Sequence, residues 1–137
     1  MSPKYEKLFD EEIKEFIRIS ETFAQEHLGD SVEKLRQNYN EMVKYFRQVR
    51  PPNVRVKDKK VAFKERSLIY RQYSKDSDNT SDLIYFHGGG FVVGGLESHD
   101  DICAEICDIT GCNVFSLDYS LAPEVKYPEF FLDAIRF

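Results

Sequence analysis

The stretch that decides the fold is Asp82-Leu83-Ile84-Tyr85-Phe86 followed by His87-Gly88-Gly89-Gly90-Phe91. Its first half is a short apolar run, typical of a strand that is buried on both faces of a sheet. Three consecutive glycines follow, so the backbone there carries no side chains that would keep a ligand away. Its N–H groups can point at a substrate oxygen, and the oxyanion formed in acyl transfer needs fixed donors of this kind. The stretch therefore predicts a strand that ends in a backbone site for a negatively charged oxygen.

The glycines fit neither of two common nucleotide-binding motifs. A dinucleotide fingerprint, G-x-G-x-x-G, that starts at Gly88 would place its last glycine on Val93. A P-loop over Gly89–Gly94 would need Lys and then Ser or Thr, where the chain has Gly95 and Leu96. Nucleotide binding is therefore disfavoured. A tight turn with a purely structural role remains as the alternative to an oxyanion site.

Residues 51–137 alternate between strand and helix patterns. The order strand, helix, strand, helix from residue 82 onward predicts an α/β fold with a mainly parallel sheet. The predicted elements are strands at 54–56 and 61–63 joined by a turn at 57–60, strands at 67–73 and 83–86, a helix at 98–110 with Ser98 and Asp101 as a capping box and Gly111 as its end, a strand at 113–119 and a helix from residue 128.

Residues 1–50 predict two amphipathic helices, because apolar side chains recur at three- and four-residue steps. One interpretation is a helical hairpin that packs on a neighbouring element. The other is a lid over an apolar binding site. The helices are predicted at 3–28, with Ser2 as N-cap and Gly29 at the end, and at 32–49, with Asp30 or Ser31 as N-cap and Pro51-Pro52 after the end.

Composition narrows the class of protein. A hydrophobic content of 42% in 137 residues is that of a folded domain rather than a disordered chain. The net charge of −5 argues against nucleic acid and anionic membranes as partners. No apolar stretch approaches the ~20 residues of a membrane span. The N-terminus lacks the apolar core of a signal peptide, and three cysteines do not suggest a disulfide framework, so we expect a cytoplasmic protein.

A second motif, Asp118-Tyr119-Ser120-Leu121-Ala122-Pro123-Glu124, follows the strand predicted at 113–119. Together with H-G-G-G-F it resembles the hormone-sensitive-lipase-type branch of the α/β-hydrolases, in which this motif usually reads D-Y-R-L-A-P-E. The spacing of one helix and one strand between the motifs also fits. The resemblance covers roughly residues 50–137. It implies the first half of an α/β-hydrolase core at 51–137, with a mixed, mainly parallel sheet, preceded by a helical cap at 1–50.

The resemblance also implies roles for the glycine stretch. The backbone N–H groups of Gly88 and Gly89 would be the oxyanion donors, and Gly90 would let the loop approach the substrate. His87 would anchor this oxyanion-hole loop by hydrogen bonding rather than act as a base. Phe91 would line the acyl or alcohol pocket, or simply pack in the core.

In the second motif, Asp118 and Glu124 would be structural and organise the loop beside the nucleophile. Ser120 departs from the family pattern, because the usual residue there is Arg. The change removes a charge-assisted partner for nearby carboxylates. It therefore raises the question of what stabilises this loop.

The family's catalytic triad follows in the order Ser, Asp or Glu, His, and its serine lies in a G-x-S-x-G elbow. The 137 residues contain no such elbow, so we expect nucleophile, acid and base all to be missing from this chain. Cys103 and Cys107 lie four apart on one predicted helix, with His99 nearby, and packing is the favoured interpretation over metal ligation. Neither a metal nor an organic cofactor is expected.

These inferences predict a carboxylic-ester hydrolase that acts on small-molecule esters with short- to medium-chain acyl groups through a serine nucleophile. The chain alone would be inactive. The alternatives are a non-catalytic, hydrolase-like ligand-binding protein and an inactive truncated product. We also expect the strand that ends at Tyr119 to lack its next neighbour. The resulting open sheet edge would favour self-association.

Overall fold

A computed structural model of the protein describes residues 8–25, 31–63, 66–78 and 81–137. Helices α1 (Glu11–Gln25) and α2 (Val32–Phe46) precede strands β1 (Arg55–Phe63) and β2 (Arg66–Ser74). The chain continues through β3 (Asp82–Phe86), α3 (Asp100–Thr110), β4 (Asn113–Asp118) and α4 (Glu129–Arg136). Among the helices in these ranges, none combines the length and the apolar character that crossing a membrane requires.

The strands form one mixed sheet in the order β1-β2-β4-β3. Strand β2 runs antiparallel to both β1 and β4, with Val56 opposite Tyr73 and Tyr70 opposite Leu117. Strands β3 and β4 are parallel, because α3 carries the chain back across the sheet between them. The predicted α/β fold class with a mixed sheet is confirmed. The expectation of a mainly parallel sheet is wrong for the described strands, because two of their three pairs are antiparallel.

The sequence-based prediction of two short strands at 54–56 and 61–63 is wrong, because β1 is one continuous strand paired with β2 along its whole length. The charged residues at 57–60 lie within the strand, exposed at the edge of the described sheet. Val56 and Val61 are an odd number of residues apart, so they lie on opposite faces of the sheet and pack against different clusters. Because the two apolar pairs lie on opposite faces of one strand, their sequence pattern resembles that of two short strands joined by a turn.

The expectation that β3 is buried on both faces is also wrong. Ile84 and Phe86 are 52% and 46% exposed, because β3 lies at the edge of the described sheet. Strand β4, which we expected to have an open edge, is instead an inner strand between β2 and β3. Within the described residues, the open edge on this side belongs to β3.

The two faces of the sheet carry separate apolar clusters. On one face α3 packs Cys103, Ala104 and Cys107 against Tyr73 and Val114, and all five side chains are fully buried. On the other face Leu68, Leu117 and Tyr119 form a smaller cluster, against which Phe130 and Phe137 from the α4 region pack. These clusters place α3 and α4 on opposite sides of the sheet.

The two N-terminal helices differ from their predicted bounds. Residues 8–10 are not helical, and α1 begins after Asp10, whose Oδ1 accepts a hydrogen bond from the Ile13 N–H (2.8 Å). The predicted N-cap Ser2 and end residue Gly29 lie outside the described residues. Helix α2 has Ser31 as N-cap, as predicted, but it ends at Phe46 rather than at residue 49. The two helices pack as a hairpin, with the rings of Phe16 and Phe46 4.8 Å apart.

Helix α3 ends as predicted, with Gly111 in the left-handed conformation and its N–H bonded to the Cys107 carbonyl (2.9 Å). Its predicted capping box is wrong. His99 occupies the N-cap position, and its side chain makes no capping bond. The Ser98 hydroxyl instead accepts a hydrogen bond from the Gly95 N–H and donates one to the Gly95 carbonyl, both at 2.9 Å. Ser98 therefore closes the loop before the helix rather than capping the helix itself.

Candidate active site

The glycine loop leaves the end of β3 and turns sharply. Gly89, Gly90 and Phe91 have φ values of 125°, 61° and 62°, in the region that favours glycine. The Gly89 carbonyl accepts hydrogen bonds from the N–H groups of Val92 (3.1 Å) and Val93 (3.0 Å). These bonds fix the loop as a tight turn that begins directly at the carboxyl end of a parallel strand.

The glycines of this loop are required for different reasons. A Cβ atom on Gly89 would lie 2.0 Å from the Val93 carbonyl oxygen, and one on Gly94 would lie 2.5 Å from the Gly88 oxygen. A Cβ atom on Gly90 would meet no atom within 4 Å. Gly89 and Gly94 are therefore needed because backbone segments touch there, whereas Gly90 borders open space.

The loop offers backbone donors that the described part of the chain does not use. Within it, the N–H groups of Gly88 and Gly89 donate to no acceptor, although most backbone groups of a folded protein are paired. Such donors cost free energy unless water or a ligand occupies them. They are therefore available to bind an oxygen of a ligand.

The buried side chain of His87 contacts the backbone of the glycine loop. Its side chain is 3% exposed, and its Nδ1 lies 2.9 Å from the Gly88 carbonyl oxygen. Because a carbonyl only accepts, this contact requires the proton on Nδ1. The ring stacks on Tyr119 at 4.2 Å, and the Tyr119 hydroxyl donates to the His87 carbonyl oxygen (2.6 Å). Tyr119, from the second sequence motif, thus fixes the residue that begins the first.

An apolar pocket of about 570 Å³ lies beside this loop. The Phe91 ring stacks on Phe130 at 4.5 Å, and Tyr127 meets Phe130 edge to face at 6.1 Å. A pocket of this size and character suits an apolar group of a small ligand. Its lining residues are Phe86, His87, Phe91, Tyr119, Tyr127, Phe130, Phe131 and Ala134.

The second motif is bonded to the first through the backbone. The Ala122 N–H donates to the Phe91 carbonyl (2.8 Å), which joins the two loops directly. Asp118 ends β4 with an exposed side chain, yet nearby protein atoms displace part of its water and raise the pKa of the carboxyl group. Hydrogen bonds from Arg36 lower the pKa of Glu124 to about 2, so Glu124 is ionised at neutral pH.

Arg36 joins helix α2 to both loops. Its guanidinium forms a bidentate pair with Glu124, with both N···O distances at 2.7 Å. It also donates to the carbonyl oxygens of Val92 (2.8 Å) and Ala122 (2.9 Å). Sequence reasoning missed Arg36, since one arginine on an amphipathic helix looks like any other solvated charge.

Arg66 supplies a positive charge beside Ser120, where the family pattern has an arginine. The Ser120 hydroxyl accepts a hydrogen bond from the Arg66 guanidinium (2.8 Å). The same guanidinium pairs with Glu129 and lies 3.5 Å from the buried carboxylate of Asp133, which in turn accepts from the Ser120 N–H (3.1 Å). A cation from β2 thus serves the carboxylates beside Ser120.

A buried ionic cluster supports the loop from the α3 side. Arg71 forms a bidentate pair with Asp58 and also bonds to Glu97 (2.6 Å) and Asp100 (2.8 Å). Asp100 is 1% exposed and also accepts from the Tyr73 hydroxyl (3.0 Å). The cluster fixes residues 97–100, which follow the glycine loop in sequence. It joins strand β2 to the start of α3.

Cys103 and Cys107 are fully buried against the sheet, and burial raises the pKa of the Cys103 thiol to about 12. Burial lowers the pKa of nearby His99, whose Nδ1 lies 2.9 Å from the Ser98 hydroxyl. Among the described residues, no group of three or more His, Cys, Asp or Glu side chains could hold a metal ion. Both thiols therefore serve as packing groups in α3.

Sequence comparison finds a family in the second half of the chain. The model of a family with the alpha/beta hydrolase fold matches residues 83–137, which include the glycine loop and the second motif. The acetyl esterase of Salmonella paratyphi B is 44% identical over 59 residues, which are 43% of this chain and 18% of that protein. The match thus covers less than a fifth of that enzyme.

Structural comparison extends the similarity to most of the chain. An esterase from the archaeon Pyrobaculum calidifontis superposes with a TM-score of 0.75 at 29% identity, over 88% of this chain and 41% of that one. An esterase of the bacterial hormone-sensitive lipase family has the same fold, with a TM-score of 0.74 at 20% identity over 93% of this chain and 41% of that one. The chain spans about two fifths of the length of these solved relatives. Residues 83–137 thus match a family with the alpha/beta hydrolase fold, and the chain shares the fold of part of these solved esterases.

Proposed function

We propose that the glycine loop, residues 87–91, is the oxyanion-stabilising part of a carboxylic-ester hydrolase. The enzyme would attack short- to medium-chain acyl esters with a serine nucleophile. The observation that carries the proposal is the pair of unused N–H groups, on Gly88 and Gly89, in a loop whose residues His87 and Phe91 line an apolar pocket. Two fixed donors of this kind stabilise the negative charge that develops on the carbonyl oxygen in acyl transfer. Gly90 leaves room for the ester, and Phe91 lines the pocket for one of its apolar groups.

The division of labour between residues 1–50 and 51–137 belongs to this proposal. Residues 1–50 act as a cap, because α2 bonds to the glycine loop through Arg36. Residues 51–137 supply the sheet and the donors. Two of the similar proteins, the acetyl esterase and the archaeal esterase, are ester hydrolases by name, which supports ester hydrolysis as the proposed reaction.

Three serines near the loop are either bonded elsewhere or buried, and they do not serve as nucleophile in this proposal. Ser98 is bonded to both backbone groups of Gly95, Ser116 is completely buried, and Ser120 is held by Arg66. Ser98 and His99 lie within hydrogen-bond distance, but the Ser98 hydroxyl is also bonded to both backbone groups of Gly95 in the loop before α3. We therefore propose that the 137 residues alone do not turn over esters.

A second candidate function is ligand binding without catalysis. It is favoured by the fact that the described chain builds a whole aromatic pocket while none of the three serines reaches it. The two candidates differ in whether a nucleophile ever joins the donors. They agree on where a small apolar ligand binds.

The test compares the natively expressed protein with the isolated 137-residue chain, using p-nitrophenyl butyrate and a serine-directed phosphonate. We expect saturable, phosphonate-sensitive hydrolysis by the native protein and none by the isolated chain. We expect Gly89→Ala in the native protein to lower kcat by roughly 100-fold or more, because its Cβ atom would clash with the Val93 carbonyl and displace the donor, and loss of one oxyanion donor costs about that much. If the intact mass of the native protein matches 137 residues and the protein binds the ester without cleaving it, the enzyme proposal is wrong and the binding-protein alternative is supported.

A further inference from the structure

The contacts of Arg36 extend beyond those of a surface ion pair. One guanidinium bonds to three groups on two different loops, which are the Val92 carbonyl, the Ala122 carbonyl and the Glu124 carboxylate. Val92 lies in the turn of the glycine loop, and Ala122 is the residue whose N–H donates to Phe91. The arginine therefore bridges the same two segments that the Ala122–Phe91 bond joins.

The chemistry of this contact selects arginine. The planar guanidinium presents several N–H donors in a fixed fork, which can serve a carboxylate with one edge and carbonyls with its remaining donors. A lysine ammonium could reach one of these groups but could not hold all three in register. The side chain is 27% exposed, so water competes only partly with these bonds.

We propose that Arg36 is a positioning residue for the oxyanion donors, through which the docking of cap helix α2 fixes the shape of the glycine loop. This inference rests on the proposed function. The Gly89 carbonyl is held by the N–H groups of Val92 and Val93, and Arg36 holds the Val92 carbonyl on the opposite side of that residue. Undocking of α2 would release Val92 and Ala122 together and let the turn that presents Gly88 and Gly89 relax.

The experiment measures amide hydrogen exchange and ¹⁵N–¹H spectra of the 137-residue chain. Arg36→Met removes all the bonds, Arg36→Lys keeps the charge without the fork, and Glu124→Gln weakens the contact from the loop side while leaving α2 unchanged. The control is Arg55→Met, which removes the exposed pair of Arg55 with Asp76 on β1. Each variant is read at the amides of Val92, Val93 and Ala122 and at the glycine signals of residues 88–90.

We expect exchange at Val92, Val93 and Ala122 to rise about tenfold or more in Arg36→Met, as loss of hydrogen bonds to a charged group implies. Arg36→Lys should restore only part of the protection, and Arg55→Met should leave these amides unchanged. The glycine signals should shift in the same order. If Arg36→Met does not fold, Glu124→Gln decides, because it should loosen the same amides while α2 stays helical.

Loop amides and glycine signals that match the Arg55→Met control would overturn the proposal. Steady-state kinetics of the native protein supply a separate readout, in which Arg36→Met should lower kcat while changing KM less than about twofold, since the donors act in the transition state. A native protein with no ester turnover would refute the proposed function. The exchange data would still show whether α2 controls the loop.

Discussion

The two faces of the sheet differ in how completely the chain covers them. On the α3 face, the largest side chains are fully buried and the charged groups of Arg71 and Asp100 are paired inside. On the α4 face, apolar side chains remain exposed around the pocket, among them Ile84, Phe86 and Phe131. The loop that carries the unused backbone donors borders that pocket through His87 and Phe91. The α3 face therefore carries the buried contacts that stabilise the fold, and we propose that a ligand binds at the α4 face.

The largest expected effect comes from breaking the buried cluster on the α3 face. Asp100→Asn leaves the guanidinium of Arg71 with one charged partner fewer inside the protein, and removing one member of a buried ion pair costs about 3–5 kcal/mol. Urea unfolding measures the loss. The matched control, Asp76→Asn, removes an exposed partner of Arg55 and should change the unfolding free energy by less than about 1 kcal/mol. Equal losses in the two variants would mean that the buried cluster does not stabilise the α3 face.

The second effect separates the roles of two neighbouring glycines. Gly89→Ala places a Cβ atom against the Val93 carbonyl and should cost about 2–4 kcal/mol, because the backbone there has to move. Gly90→Ala meets open space and should cost only about 1–2 kcal/mol for its left-handed conformation. Thermal unfolding of both variants measures the difference. Similar midpoints would show that the contact at Gly89 does not define the turn.

The third effect concerns the cation beside Ser120. Arg66→Met removes the guanidinium that pairs with Glu129 and lies near the buried Asp133, with an expected loss of about 1–2 kcal/mol. Ser120→Arg should be close to neutral alone and should recover part of the loss when combined with Arg66→Met. Urea unfolding of the two single variants and the double variant gives the coupling. A double variant that is as unstable as the sum of the singles would refute the idea that Arg66 supplies the missing charge.

The substitution with the smallest expected effect on stability lies on the α4 face, where we expect it to change self-association instead. Phe131→Ser removes a half-exposed ring and should change the unfolding free energy by less than about 1 kcal/mol, while reducing self-association of the chain. Sedimentation velocity at several concentrations measures this. The control is Ile109→Ser, an exposed apolar side chain on α3, which should not alter association. If both variants associate as the unmodified chain does, the α4 face is not the surface responsible.

Much of this arrangement could be predicted from the sequence, because local signals and tertiary structure agree there. The glycine triplet after an apolar run predicted the loop at the end of β3, and Gly111 predicted the end of α3. The two linked motifs predicted the similarity to proteins with the alpha/beta hydrolase fold. Signals of this kind depend on backbone conformation and short-range order, which are encoded within a few residues.

The remaining features depend on contacts between residues distant in sequence. Whether β3 or β4 lies at the sheet edge follows from the order of pairing, which no local pattern contains. The charged residues at 57–60 imitated a turn, although Asp58 is held in a strand by Arg71. Arg36 contacts Glu124 across 88 positions and Arg66 contacts Ser120 across 54, so neither could be recognised from its own neighbourhood.

The central claim, that Gly88 and Gly89 form an oxyanion site, is tested most directly by titrating the ¹⁵N-labelled chain with phenylacetate. The aromatic ring can occupy the pocket and the carboxylate stands in for the oxyanion, while phenylacetamide fills the same space without the charge. We predict that the Gly88 and Gly89 amide protons move downfield and saturate with phenylacetate, and move little with phenylacetamide. Equal shifts with both ligands, or shifts confined to residues away from the loop, would contradict the account.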